Sequence, residues 1–284
     1  MQPPLTDSAV VGEVTDRILR SLSSTGVAAV GFVNEGALGR QAVADSYGIA
    51  HLEKWCDAGM ELGNHTCSHL DLHTTSVDMF EQDIIRGEVI SKRLMESRGK
   101  RVRYFRYPYL HTGLTCEIKT RVEEFLRKHR LVMAPVTIQS EEYMFAQTYD
   151  QAMLDSDSET MRRAASAYVP YMEKMFEYFE ALSVEVFGRE ISQVLLLHAS
   201  ALTADHFSDL ELMMRDRGYT FITLEEALND EAYSHADSCI TSDGLSWLHR
   251  WAATDGLQVH PQPTEPEFVK NLWNVIQQGG TTPK

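Results

Sequence analysis

Hydrophobic positions along this chain change period repeatedly, from spacings of three and four to short uninterrupted runs and back, which predicts helices and strands in turn. Val10, Val11, Val14, Ile18 and Leu22 share one helical face over residues 9–22, with Thr6, Asp7 and Ser8 as cap residues ahead of it. Residues 27–33 read as a strand, 36–48 as a loop with a short helix, 49–58 as a helix and 61–64 as a short strand. Phe80, Ile84, Ile85, Val89, Ile90 and Leu94 then form the inner face of one long amphipathic helix over 76–97. An aromatic strand at 102–106, a helix at 115–129 and a strand at 132–138 continue the rhythm. Repeated βα units argue for a parallel sheet or barrel, with function at the C-terminal strand ends.

The second half departs from that rhythm. Met161, Tyr168, Met172, Met175, Phe176, Phe179, Leu182 and Val186 form a helical stripe over 158–187, with Pro170 starting or kinking a segment, and a stripe of this composition reads as core. Residues 192–197 are a fully apolar run that delivers His198 at its C-terminal end, as a buried strand would. Strand and helix follow at 218–228. A helix over 244–252 is expected to dock Trp247 and Trp251, residues 260–266 to form a wrapping linker, and 268–276 a last short helix. There is no internal repeat. The expected organisation is one sizeable domain over 1–233 and a C-terminal extension over 234–284 that packs on it.

The 284 residues are 43% hydrophobic, with no run of about 18 apolar residues, so no membrane span is encoded. A formal charge of −15 disfavours nucleic acid and anionic surfaces as partners and leaves a neutral polymer unopposed. Cys56, Cys67, Cys116 and Cys239 are widely spaced without a CxxC pair and read as mostly buried thiols.

Candidate chemistry begins at Glu61-Leu-Gly-Asn-His65-Thr-Cys-Ser-His69, where two histidines four residues apart, introduced by a Gly-Asn turn, can present two imidazole nitrogens to one divalent metal. Cys67 lies between them, and its side chain is expected to face away from both. Two further pieces stand far off in sequence: Arg106-Tyr-Pro108-Tyr109 after the aromatic strand, and His198, placed to act as an acid or base.

These three pieces, in this order, resemble the polysaccharide deacetylases, carbohydrate esterase family four, and the resemblance extends over most of residues 8–230. It implies an α/β fold, a distorted (β/α) barrel of the polysaccharide deacetylase type. It also implies hydrolysis of N-acetyl groups on a glycan by a divalent metal, most plausibly zinc, with cobalt, nickel or manganese as substitutes. In that family's terms His65 and His69 hold the ion, and the Tyr109 backbone N–H helps hold the oxyanion. Pro108 fixes the local turn, Tyr143 and Leu196 line the substrate site with it, and His198 protonates the departing amine. Glu142 stands where the family has the aspartate that orients the acid histidine, in Gln139-Ser-Glu-Glu142-Tyr143 for the family's Asp-x-x-Asp-Trp. The extra methylene shifts its reach by roughly 1.5 Å. His73 adds one more four-residue step and reads as a surface histidine, because the family uses only the first two.

The chain departs from the family at its front. The family opens with a strand ending in Thr-x-Asp-Asp, which supplies the general base and a third metal ligand; here Met1-Gln-Pro-Pro-Leu-Thr-Asp7 leads straight into the first helix. Asp7 is not a convincing replacement, since Pro3 and Pro4 do not suit a central strand. The first strand is thus missing, and Arg106, which pairs with the base in the family, is expected to be an uncompensated charge. The reading is a start placed downstream of the true one. The chain as written is then expected to have little or no activity, and its location would be extracytoplasmic if a leader was lost and cytoplasmic if Met1 is the true start. Alternatives are a non-catalytic carbohydrate-binding relative, or a hydrolase of a non-sugar carbon–nitrogen bond. The expected partner is an N-acetylated glycan or related small amide, with no nucleic acid.

Overall fold

The computed structural model describes residues 8–38 and 46–279, so expectations for Thr6, Asp7 and part of the loop at 36–48 lie outside the described residues. Its elements run, in chain order, α1 (Ser8–Thr25), β1 (Val30–Val33), α2 (Ser46–Asp57), β2 (Glu61–Asn64), α3 (Val77–Arg86), α4 (Val89–Glu96), β3 (Tyr104–Phe105), α5 (Cys116–Lys128), β4 (Val132–Met133), α6 (Glu142–Leu154), α7 (Ser158–Phe187), α8 (Ala201–Asp216), α9 (Leu224–Ala227), α10 (Trp247–Thr254) and α11 (Glu267–Gln277). They divide into two compact units. One joins Ala28–Thr137 to Thr223–Gln258, and the other joins Met1–Val27, Ile138–Ile222 and Val259–Lys284.

The first, the sheet unit, carries four parallel strands in the order β1-β2-β3-β4. Val30 pairs with Glu61 and Val33 with Asn64, so β1 and β2 end level, and Asn64 pairs with Phe105 on β3. Parallel strands need helical crossovers, which α2, α3, α4 and α5 provide. The helix expected over 76–97 is two helices, broken at Gly87. The break has a tertiary cause: a Cβ at Gly87 would come 2.4 Å from the carbonyl carbon of Thr66, so the chain after β2 presses on the helix backbone there. β3 and β4 are shorter than the runs that announced them, two residues each. Trp247 and Trp251 of α10 are buried in this unit, as a docking helix requires, and the backbone N–H of Trp247 donates to Val136 at 2.7 Å.

The second, the helical unit, packs α6 on α7, α8 and α11, and α1 on α8. Tyr168, Met172, Met175, Phe176, Phe179 and Leu182 of α7 are buried, which confirms the stripe as core. Pro170 sits inside this 30-residue helix rather than starting one. The apolar run 192–197 is only half-buried and makes one parallel bridge, Leu195 to Ile138, instead of a central strand. Residues 219–223 form no ladder, and the helix after them is the short α9, held by a capping box between Thr223 and Glu226. Of the cysteines only Cys56 is buried; Cys116 is exposed, because it opens α5 at its solvent end. Among the described residues no helix is long and apolar enough to cross a membrane.

Candidate functional site

In the sheet unit the chain leaves β2 through a turn whose backbone groups find specific side-chain and main-chain partners. Fully buried Asn64 accepts from the Thr66 N–H at 2.8 Å and donates to the Ile84 carbonyl at 2.8 Å. The Asp83 carboxylate accepts from the Ser68 N–H at 2.7 Å, while its backbone carbonyl accepts from Cys67 at 3.0 Å. Gly36 donates to the Cys67 carbonyl at 2.8 Å, and a Cβ there would meet the same oxygen at 2.6 Å. Thr66 and His69 take left-handed backbone conformations, φ 61° and 54°. The Cys67 thiol is directed toward Arg86 and Gly36.

His65 lies at the C-terminal end of the parallel ladder, where its Nδ1 meets the Arg106 carbonyl at 2.7 Å. A carbonyl only accepts, so Nδ1 carries the proton and Nε2 keeps its lone pair, the arrangement in which an outer carbonyl orients a ligating imidazole. The His69 ring is 4.9 Å from that of His65, edge to face at 75°. The two imidazoles thus stand close together at this end of the ladder, and imidazole nitrogens are the donors a divalent ion such as zinc takes. Tyr109 packs its ring 4.6 Å from His69. Its backbone, and that of Leu110, is left-handed (φ 58° and 57°), and Gly244 supports the turn from behind, where a Cβ would come 2.0 Å from the Tyr109 carbonyl oxygen. Pro108 is buried at the start of this turn.

Arg106 is buried as expected. Its guanidinium lies over the Phe32 ring at 4.1 Å and its Nε donates to the Ala134 carbonyl at 3.5 Å. Among the described residues no carboxylate pairs with it, and burial pulls its pKa down to about 9, so it remains a cation at neutral pH.

His73 differs from its expectation. Instead of standing on the surface it stacks on His111, ring centroids 3.8 Å apart and planes within 7°, because the 69–73 loop folds back over the 109–111 turn. Asp71 accepts from the His73 N–H at 2.8 Å and meets His111 Nδ1 at 2.8 Å. Burial lowers the His73 pKa, with His111 adding to the effect. Neither Asp71 nor His111 was marked in the sequence; the four-residue step from His69 to His73 was the only trace of this group.

The helical unit holds the acid–base candidates. Glu142 is the first residue of α6 and is buried, and its Oε2 lies 2.8 Å from Nδ1 of half-exposed His198. Because a carboxylate accepts, Nδ1 of His198 carries a proton. The Tyr143 ring is 6.2 Å from His198 and 5.8 Å from Trp273 of α11, an aromatic that sequence reasoning passed over as part of a last short helix. Burial, reinforced by Glu141, raises the Tyr143 pKa and keeps the phenol neutral. Leu196 is half-buried and donates its N–H to the Ile138 carbonyl at 3.1 Å. Asp150 accepts from the Ala201 N–H at 2.9 Å at the start of α8, and burial pushes its pKa up to about 7.

Comparison with known proteins bears on the first half of the chain and on the fold. Residues 6–129 match the family model for polysaccharide deacetylase. Among solved structures, the chitin deacetylase from the fungal pathogen Colletotrichum lindemuthianum is 19% identical over 76% of this chain and 82% of its own, with a TM-score of 0.53. A mutant of a CE4 family pseudoenzyme, known in wild-type form from Bacillus anthracis, is 16% identical with a TM-score of 0.50. That match covers 77% of this chain and 63% of the pseudoenzyme. No curated protein matches this chain. Residues 6–129 are thus similar to polysaccharide deacetylases, and the chain shares the α/β fold of the chitin deacetylase and the CE4 family pseudoenzyme.

Proposed function

We propose that this chain acts on N-acetylated glycans as a metal-dependent deacetylase. The observation that carries the reading is the His65 Nδ1 contact with the Arg106 carbonyl, which leaves Nε2 as a ligand beside His69. A divalent ion bound there, with zinc favoured by the imidazole set and cobalt, nickel or manganese able to replace it, would polarise the acetyl carbonyl and acidify water. The protein's own groups take the remaining tasks. The Tyr109 backbone N–H stabilises the oxyanion, and Pro108 holds that turn in shape. His198 delivers a proton from Nε2 to the departing amine, while Glu142 fixes its tautomer and stabilises its protonated form. Tyr143 and Leu196 supply apolar surface for the sugar.

The test is acetate release from N-acetylglucosamine oligomers and peptidoglycan fragments by the zinc- or cobalt-loaded protein, alongside His198→Ala. Release that falls by about 10²–10⁴-fold in the variant, with zinc content unchanged, supports the assignment. Absence of release from every acetylated glycan, with zinc bound, sinks it.

A second reading, a glycan-binding protein without catalysis, is favoured by one observation: Arg106 is buried with no carboxylate partner among the described residues. Oligosaccharide binding by calorimetry without acetate release is its signature.

A further inference from the structure

The sheet unit contains a second group of metal-ligating side chains that the deacetylase reading does not use. One carboxylate oxygen of Asp71 and one nitrogen each of His73 and His111 lie within 4.8 Å of one another, and among the described residues this is the one cluster of three such groups. His73 and His111 are neighbours only in space, 38 positions apart, and three segments converge on them: the loop after His69, the turn after Tyr109, and the backbone of Ser242, which faces His73.

Two features distinguish this group from ordinary packing. The first is an orphan: His73 Nε2 is buried and has no hydrogen-bond partner. A buried polar nitrogen left unpaired is unfavourable, and a metal ion is one of the few partners that would use its lone pair directly. The second is the Asp71 carboxylate, whose Oδ1 is already 2.8 Å from His111 Nδ1, so that two of the candidate ligand atoms stand side by side before any ion is bound. Zinc–nitrogen bonds of about 2.0–2.1 Å set tetrahedral ligands about 3.4 Å apart, so the group needs to contract by no more than about 1.4 Å. The stacked imidazoles would tilt as their nitrogens converge.

We propose that Asp71, His73 and His111 form a second divalent-metal site of the zinc, copper or nickel class, separate from His65 and His69. Imidazole donors with one carboxylate select these borderline ions over magnesium or calcium. The ion would tie the 69–73 loop to the 109–111 turn and so fix Tyr109, whose ring lies between the two histidine pairs, 4.6 Å from His69 and 5.6 Å from His111. Its role is structural, and it does not depend on the catalytic assignment.

The experiment is zinc stoichiometry by elemental analysis and native mass spectrometry on the full chain, with cobalt absorption as a second readout. It compares wild type with His65→Ala/His69→Ala, His73→Ala/His111→Ala and the shape-preserving Asp71→Asn. The expected result is two zinc ions in wild type and one in each double variant, with zinc binding at the second site weakened about tenfold or more in Asp71→Asn. Zinc should also raise Tm in His65→Ala/His69→Ala. One ion in wild type, retained by His65→Ala/His69→Ala and lost from His73→Ala/His111→Ala, supports this site and overturns the catalytic one. Unchanged stoichiometry in folded His73→Ala/His111→Ala overturns the proposal, and so does undiminished affinity in Asp71→Asn together with zinc binding that stops when His65 and His69 are removed. No binding by any form overturns both sites.

Discussion

The sheet unit and the helical unit each orient a histidine through its Nδ1, by different means. In the sheet unit the acceptor is a neutral main-chain carbonyl, that of Arg106, and the imidazole it aims is suited to ligation. In the helical unit the acceptor is the buried carboxylate of Glu142, and the imidazole it aims is suited to carrying a proton. A carbonyl fixes direction with little change in basicity, whereas a carboxylate also stabilises the cation. The two acceptors thus suit their histidines to the two different tasks proposed for them.

Substitutions sharpen that contrast. The largest effect is expected from His65→Ala/His69→Ala, which should remove the ion at that pair and with it any acetate release, against His198→Ala, which should lower turnover by about 10²–10⁴-fold with metal content intact. Equal metal loss in both would erase the distinction. Glu142→Gln should cost roughly 10²-fold in kcat and move the basic limb of the pH–rate profile to lower pH, because the neighbouring carboxylate no longer holds His198 protonated. A limb that stays in place would mean Glu142 serves position alone. Gly87→Ala should destabilise the protein by about 1–3 kcal/mol, since the added methyl overlaps Thr66, and should weaken metal binding at His65 and His69; urea unfolding and metal titration check both.

The remaining effects concern pH, and the units are expected to differ in sign. Burial holds the folded pKa of His249 in the sheet unit down to about 4, so the folded state binds fewer protons than the unfolded one between that value and about 6.5, and stability falls on acidification through this window. Asp150 in the helical unit is raised from 3.8 to about 7, so its contribution is full below 3.8 and is lost as pH rises toward 7. Chemical denaturation at several pH values should show a flatter acid side in His249→Gln and the loss of a fall in stability between pH 4 and 7 in Asp150→Asn.

Much of this was legible in the sequence, for identifiable reasons. The strand at Glu61–Asn64 and the histidine spacing after it are local patterns, and local patterns survive folding. The expected contact between Glu142 and His198 is present, at 2.8 Å, with Glu142 as the first residue of α6. The break at Gly87 was not legible, since the amphipathic face continues across it and only the close approach of Thr66 demands a glycine. The run at 192–197 misled because apolarity alone does not say whether a segment has neighbours on both sides. Asp71 and His111 carry no spacing signature, as 40 positions separate them.

Four of the six non-glycine residues with left-handed backbone among the described residues are Thr66, His69, Tyr109 and Leu110, all in the two loops that follow β2 and β3. A side chain in that conformation costs on the order of 1 kcal/mol, which glycine would relieve against roughly 0.5–1 kcal/mol of added chain entropy. At Thr66 and Leu110 the exchange is nearly even, so evolution has latitude there. At His69 and Tyr109 it has none, because glycine would discard the ring along with the tension. These loops hold conformational energy in order to keep particular side chains at particular turns, and hydrogen exchange should find them opening ahead of the β1–β2 ladder beside them.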